Sequence, residues 1–211
     1  PVWPKPRPGG GVGRVLPSLK RATVSVPPFP RMRLGRTSVL ADLSPLIAAT
    51  TEWLTRAYPA CGGALASALC EVQARQAVTV SAWLCYPTAM DAGLVGVAGT
   101  GGSAALDRIG GAEPEGLADD WSWRSWVDEV VASWAACLLI DPELAARAVT
   151  GLAGSEHTRG TPVEFRRLVA PDDLDREAAV LLRHPDLLAP VAELHRAGLL
   201  DRLGPEQALV A

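Results

Sequence analysis

The fold is decided by the stretch VVASWAACLLIDPE, residues 130–143. Its apolar side chains recur at helical spacing, and Trp126, Val130 and Trp134 lie four residues apart on one wide face. The helix stops at Asp141-Pro142, where Asp caps the next helix and Pro suits its first position. The sequence therefore predicts a buried helix that leads directly into a second one.

A similar unit surrounds Pro87. The preceding residues 78–86 begin with three β-branched side chains, which suit either a strand or a helix. We favour a helix, because no partner strands are evident in the sequence. Pro87 interrupts this helix, and residues 88–98 resume a helical pattern. Two helix–Pro–helix hairpins are thus predicted, and we expect them to pack against each other.

The rest of the body is also predicted to be helical. Ser44-Pro45 has the residues of a helix start, and Gly198 has those of a helix end. Further helical patterns cover residues 63–75, 104–109, 142–153, 172–183 and 186–197. The prediction is an all-α domain of six to eight helices over residues 37–211, in one orthogonal or bundle-like arrangement.

Residues 1–36 form a different, basic segment. They hold eight of the 18 prolines and a run of three glycines, which predicts an extended or disordered arm. Residues 1–41 contain eight of the 20 basic residues and no acidic one, which leaves twelve basic and 23 acidic residues for the rest. The candidate partner-binding residues of the arm are Lys5, Arg7, Arg14, Arg31 and Arg33.

This charge asymmetry has two interpretations. In one, the arm of an interaction or assembly protein docks onto an acidic surface of a partner. In the other, the arm lies on its own acidic body or on a neighbouring subunit. Nucleic acid is a disfavoured partner, because the arm lacks dense Lys/Arg clusters with interleaved aromatic residues. A protein partner or a homo-oligomer is therefore expected, and a small-molecule ligand is a further expectation.

Composition excludes several classes of protein. Hydrophobic residues make up 48% and charged residues 20%, which is typical of a globular domain. No apolar run reaches the roughly 18 residues that a membrane-spanning helix needs. The four cysteines have wide, irregular spacing without a Cys-x-x-Cys pair. We therefore predict buried free thiols in the reducing cytoplasmic compartment, with no bound metal or other cofactor.

Two neighbouring segments are candidates for ligand binding. Trp121, Trp123 and Trp126 fall within six residues and precede Asp128, a cluster typical of pockets and interfaces, with core packing as the alternative. Residues 96–103 fit G-x-x-x-x-G-x-S, with Gly where a phosphate-binding loop has Lys. An ordinary interhelical loop is the alternative here. The candidate anion- or nucleotide-binding residues of this loop are Gly99, Gly101 and Ser103.

The sequence identifies no catalytic residue and leaves open whether the protein is an enzyme. It contains no Gly-x-Ser-x-Gly nucleophile elbow. Its three histidines are not spaced as pairs of helical metal ligands are. Catalysis therefore has no candidate residues at this point, whereas ligand binding has several.

Three blocks of sequence resemble one known family. They are LKRATVSVPPFPRMRLG at 19–35, AVTVSAWLCYP at 77–87 and the helix pair at 130–148. Across residues 19–167 the chain is similar to the FhuF-like ferric-siderophore reductases found in actinobacteria. The resemblance implies a protein associated with siderophores and iron.

The iron–sulfur cluster motif of that family is missing from this chain. The family carries a Cys-Cys pair and a later Cys-x-x-Cys near its C-terminus, and these thiolates hold the cluster. Here Arg166-Arg167 is followed by Leu168-Val169-Ala170, and no cysteine follows Cys137. The resemblance therefore implies a member that has lost this redox chemistry and that binds a ligand or acts beside a partner enzyme.

Overall fold

A computed structural model describes residues 42–110, 118–159 and 164–204. Within these ranges the chain forms ten α-helices and one 3-10 helix, without a strand, so the all-α prediction is confirmed for them. The Pro-rich arm predicted for residues 1–36 lies outside the described residues, as do its five candidate partner-binding side chains. No helix in the described part of the chain is long and apolar enough to cross a lipid bilayer.

The helices are short apart from the second. Their bounds are α1 (Ser44–Ala57), α2 (Ala64–Cys85), α3 (Ala89–Ala98), α4 (Ala104–Ile109), a 3-10 helix (Ala118–Trp126), α5 (Glu129–Ile140), α6 (Pro142–Gly151), α7 (Arg166–Val169), α8 (Asp173–Ala178), α9 (Pro185–Ala192) and α10 (Arg196–Leu203). There are more helices than the six to eight predicted, because the C-terminal third is divided into short pieces. The single helix predicted over residues 186–197, for example, is interrupted, because α9 ends at Ala192 and α10 begins at Arg196.

The core is organised around α5. Nine consecutive residues of this helix, Val131–Leu139, are buried, so α5 has neighbours on every side. The most extensive helix–helix contact joins α5 to α2, and small buried residues such as Ala77 and Ala135 allow the two helices to approach closely. Each fully buried leucine, such as Leu138, stabilises the fold by about 1.5–3 kcal/mol. The two hairpins therefore pack against each other, as predicted, through their first helices, α2 and α5.

Helix ends follow local capping chemistry, with three differences from the sequence prediction. Residues 63–75 and 78–86 form a single helix, α2, because no breaker separates them. Ser44 is the first residue of α1 rather than its cap, and its amide donates to the Asp42 carboxylate at 2.9 Å. Gly198 lies inside α10, where a Cβ would meet the Trp134 ring at 3.8 Å, and Gly204 ends that helix with φ +74°.

A buried polar network joins the C-terminal segments to the core. The Arg183 guanidinium donates to Gln73 Oε1 on α2 at 2.6 Å and to the Leu139 carbonyl of α5 at 3.1 Å. It also donates to the carbonyls of Arg167 and Leu168 in α7, at 2.8 and 3.2 Å. Burial lowers the pKa of Arg183. A half-buried cation therefore holds the carbonyls of α5 and α7 in place.

Asp175 extends this network on α8. Its side chain is fully buried and pairs with the Arg167 guanidinium. Gln73 Nε2 donates to the Asp175 carbonyl at 2.8 Å, which ties α2 to α8. The buried carboxylate is thus paired and hydrogen-bonded, as a charge removed from water must be. Together Gln73, Arg183 and Asp175 connect four helices.

We expect Arg183→Ala to lower the free energy of unfolding by about 3 kcal/mol, because four buried acceptors lose their donor. Urea denaturation followed by circular dichroism measures the loss. Arg75→Ala is the control, since Arg75 pairs with Glu71 on the surface at 2.9 Å and its removal should cost less than about 1 kcal/mol. Equal losses for the two variants would contradict a structural role for the network.

Candidate functional site

Two of the predicted ligand-binding segments meet at Asp128. The Asp128 side chain is fully buried between the 3-10 helix and α5. Its Oδ1 accepts the Val131 amide at 3.0 Å and thereby caps α5. Its Oδ2 accepts the Gly101 amide at 3.0 Å and the Tyr86 hydroxyl at 2.6 Å. The structure therefore brings Asp128 and the glycine loop together, but through bonds within the protein.

Tyr86 and Gly101 are both adapted to this carboxylate. Burial, together with the hydrogen bond and negative charge of Asp128, raises the pKa of Tyr86, so the phenol remains a donor. A Cβ at Gly101 would lie 3.4 Å from Asp128 Oδ2, closer than most side-chain contacts. Asp128 thus joins the end of α2, the glycine loop and the start of α5 into one unit.

Two backbone donors at the glycine loop are already engaged by carboxylates of the protein. Besides the Gly101 amide, the Ala105 amide at the start of α4 donates to Glu129 Oε2 at 3.3 Å. Gly99 ends α3 with φ +86°, and Ser103 precedes α4 without a side-chain capping bond. An incoming anion would have to displace a carboxylate from each of the two bonded amides. Such a neighbourhood repels negative charge.

The predicted tryptophan cluster packs largely against the protein itself. Trp123 and Trp126 are half-buried and contact the core, and the 3-10 helix that carries them packs on α1. The Arg56 guanidinium lies over the Trp123 ring, 5.1 Å from its centroid. The side chain of Trp121 lies outside the described residues. Trp123 and Trp126 therefore have the surroundings expected from core packing.

Two of the three histidines also have ring contacts within the protein. His195 Nε2 lies 2.9 Å from Glu129 Oε1, at the start of α5. The His157 ring stacks on Trp83 with centroids 5.5 Å apart, and its Nε2 lies 2.7 Å from the Tyr86 carbonyl. Both rings therefore stabilise loop positions. The third histidine, His184, differs from them.

His184 lies in a groove that sequence reasoning missed. We call it the junction groove, because it follows the junction of α5 and α6. Its volume is about 460 Å³. It is lined by Leu139, Ile140, Pro142, Val169, Ala170, Pro171, Arg176, Val180, Arg183, His184 and Pro185. A second depression of about 540 Å³ shares Ile140, Pro142 and Pro185 with the groove, and its other lining residues are Asp141, Glu143 and Arg196.

The junction groove combines apolar walls with positive charge. Eight of its eleven lining residues are apolar, and the other three are Arg176, Arg183 and His184. His184 Nδ1 is buried and has no hydrogen-bond partner among the described residues. A buried polar atom without a partner destabilises a fold by about 1–3 kcal/mol, and Thr51 Oγ1 and Ser81 Oγ are two others among the described residues. The groove is the strongest candidate site in the described chain.

The cysteines do not fit an iron–sulfur cluster. All four are free, and Cys70 and Cys137 are buried, whereas Cys85 is half-buried and Cys61 is exposed. The prediction that every thiol is buried is therefore wrong for Cys61. Burial raises the pKa of each of the other three thiols to about 11, which opposes the thiolate form that iron requires. Among the described residues no three His, Cys, Asp or Glu side chains are grouped as metal ligands.

Comparisons with models of known protein families, with curated proteins and with solved structures gave no match for this chain. The resemblance to FhuF-like proteins therefore depends on the three sequence blocks alone. The blocks at 77–87 and 130–148 contribute to α2, α5 and α6, and the block at 19–35 lies outside the described residues. A functional conclusion must come from the geometry of the described site.

We expect Asp128→Ala to lower the free energy of unfolding by about 3 kcal/mol, because two amides and a phenol lose their shared acceptor. Tyr86→Phe removes one of these bonds and should cost about 1 kcal/mol. Urea denaturation of both variants provides the comparison. If Asp128→Ala lowered the free energy of unfolding no more than Tyr86→Phe does, this would contradict the conclusion that Asp128 joins α2, the glycine loop and α5.

We expect one thiol of the native protein to react rapidly with iodoacetamide at about pH 7.5, because burial holds the other three in the protonated form. Peptide mass mapping should assign this site to Cys61. Unfolding in urea should expose all four thiols at similar rates, which serves as the control. Rapid native labelling of Cys70 or Cys137 would show that the core opens more readily than its packing indicates.

Proposed function

We propose that the protein is a siderophore- and iron-associated, FhuF-like binding protein that holds an anionic ligand with an apolar body in the junction groove. The observation that carries this proposal is a groove whose described lining includes two arginines and no carboxylate, and whose wall contains the buried, unpartnered Nδ1 of His184. We further propose the cytoplasm as its compartment, which the four free cysteines support.

The charge of the groove supports an anionic ligand. Arg176 is exposed and pairs with Asp173, at 2.9 Å on the same helix. Surface pairs of this kind contribute at most about 1 kcal/mol, so a ligand oxyanion can replace the Asp173 carboxylate at little cost. Arg183 lies deeper and is held by its carbonyl partners. Its charge therefore acts on a ligand mainly through the field in the groove.

The apolar walls support a ligand with a sizeable apolar part. Ile140, Val169 and Val180 supply aliphatic surface, and Val180 is half-exposed. Pro142, Pro171 and Pro185 add rigid faces. The volume of the groove falls within the range of about 300–1,000 Å³ that small-molecule sites occupy. A ferric tris-catecholate chelate combines aromatic rings with net negative charge, and it belongs to the ligand class that the resemblance to FhuF-like proteins implies.

We expect Arg176→Ala to weaken binding of a ferric tris-catecholate chelate about tenfold, because one oxyanion loses a charged donor. Isothermal titration calorimetry with the chelate measures the affinity. The matched control is Arg75→Ala, which removes another exposed arginine with one ion-pair partner on its own helix. Equal affinity in the two variants, or equal binding of a neutral ferric trihydroxamate, would contradict an anion-selective groove.

His184→Phe separates a binding role from a structural one. The substitution keeps a flat ring but removes the unpartnered Nδ1, so the free energy of unfolding should stay the same or rise. Chelate affinity should fall at the same time if the ring nitrogen contacts the ligand. A large loss of stability without a change in affinity would show that His184 supports the fold and would remove the main support for the proposal.

A further inference from the structure

Another cavity lies where the end of α2 meets α6 and α10. Its volume is about 210 Å³. It is lined by Trp83, Leu84, Pro87, Arg147, Gly151, Leu152, Ser155, Arg202 and Leu203. We call it the α6–α10 cavity, because its two arginines come from these helices. It shares no residue with the junction groove, so its chemistry is independent of that site.

The described lining of this cavity carries two positive charges and no carboxylate. Arg147 is half-buried, and its Nη2 donates weakly to the Gly204 carbonyl at 3.5 Å. Arg202 is exposed in the last turn of α10. Within the described part of the chain neither guanidinium forms an ion pair. Like charges at one small cavity repel each other, and an anion between them would replace this repulsion with attraction.

Asp91 is a carboxylate near this cavity, but it is already engaged. Hydrogen bonds from the Thr88 side chain and amide lower the pKa of Asp91, and the charge of Arg202 lowers it further. The two charges therefore interact, although they form no direct ion pair. Both Thr88 bonds, at 2.6 and 3.0 Å, end on Asp91 Oδ2. No hydrogen bond joins the Arg202 guanidinium to another described residue, so its donors remain available to a ligand.

The apolar wall of the cavity is held in place by its neighbours. The Trp83 ring stacks on His157, with centroids 5.5 Å apart, and meets the Phe165 ring edge-on at 6.0 Å. Gly151 allows α6 and α10 to approach closely, since a Cβ there would lie 3.5 Å from Leu203 Cδ2. A ligand would therefore enter a preformed cavity, and little free energy would be lost in ordering its wall.

The size and charge of the cavity indicate its ligand. Sites for drug-sized molecules span about 300–1,000 Å³, so this smaller cavity suits a single anionic group. A planar guanidinium donates two parallel hydrogen bonds to phosphate oxygens, and two arginines match the charge of a phosphate dianion. We propose that the α6–α10 cavity binds a phosphate group through Arg147 and Arg202. Free phosphate and a phosphate monoester share this chemistry.

Isothermal titration calorimetry of the full chain with sodium phosphate, at constant ionic strength, tests this inference. The wild type should bind with a Kd of about 1 mM or tighter. Arg202→Ala should weaken binding about tenfold because a charged donor is lost, and Arg202→Lys should fall between, since it keeps the charge without the planar fork. Arg108→Ala is the matched control and should bind like the wild type, since Arg108 is also exposed in the last turn of a short helix without a described ion-pair partner. Circular dichroism checks that each variant is folded.

Nuclear magnetic resonance locates the bound phosphate. The indole resonance of Trp83 should shift as the cavity fills. The ring resonances of His184 should shift little, because phosphate lacks the apolar body that the junction groove is proposed to hold. The same titration with phenyl phosphate, followed at Trp83, distinguishes the two sources of the ligand. Tighter binding than that of phosphate would identify a monoester, and equal or weaker binding would identify free phosphate.

Three results would overturn this inference. Neither heat nor a Trp83 shift at up to about 50 mM phosphate would mean that the cavity binds no phosphate. Equal affinities of the Arg108→Ala and Arg202→Ala variants would show that the attraction is not specific to the cavity. Phosphate shifts at His184 alone would place the anion in the junction groove. Failure of chelate binding would leave this inference intact, because the two sites share no residue.

Discussion

The half-buried charge of Arg183 constrains most of the C-terminal half. A partly buried guanidinium needs acceptors in place of the water that it loses, and in this chain they are the carbonyls of Leu139, Arg167 and Leu168 together with the Gln73 side chain. These acceptors come from α5, α7 and α2. The three helices therefore cannot move independently unless the guanidinium loses some of its hydrogen-bond acceptors. The same side chain then forms part of the wall of the junction groove. The site is therefore built on the most constrained part of the fold.

Helix α5 is held at both ends by charges of the appropriate sign, one buried and one half-buried. The Asp128 carboxylate accepts an amide at its N-terminus, and the Arg183 guanidinium donates to a carbonyl at its C-terminus. Each charge opposes the partial charge of the helix end that it meets, which stabilises the helix by up to about 2 kcal/mol in partly buried geometries. This arrangement explains how an almost wholly apolar helix is fixed in register. Dispersion and hydrophobic burial alone have little directional preference.

Sequence reasoning predicted those features that depend on neighbouring residues. The Asp141-Pro142 cap, the helix at 104–109 and the helical state of residues 78–86 all follow from local chemistry, and the structure has them. Gly198 was predicted as a helix end from its residue type, but its position is set by the Trp134 ring across the core. The role of Asp128 was missed for a similar reason, because its partners Tyr86 and Gly101 are distant in sequence.

The junction groove could not be predicted because no motif marks it. Its walls come from three separate segments, 139–142, 169–176 and 180–185, whose meeting depends on the tertiary fold. One signal was available in the sequence: Pro142 and Pro185 each follow a helix cap, and prolines at such positions leave rigid apolar faces at helix starts. That signal locates helix ends but does not indicate that two of them face one cavity.

The adjacent residues Arg183 and His184 show why the groove is a more convincing site than the glycine loop. In the loop the amides of Gly101 and Ala105 are satisfied by carboxylates of the protein itself. In the groove the fold supplies Arg183 with four acceptors, yet it leaves the neighbouring His184 Nδ1 without a partner. Two other buried side-chain oxygens, Thr51 Oγ1 and Ser81 Oγ, are likewise without a partner among the described residues, but of these three residues only His184 lines the groove. A ligand oxygen that reached this nitrogen would satisfy it, whereas the bonded amides of the glycine loop need no such partner.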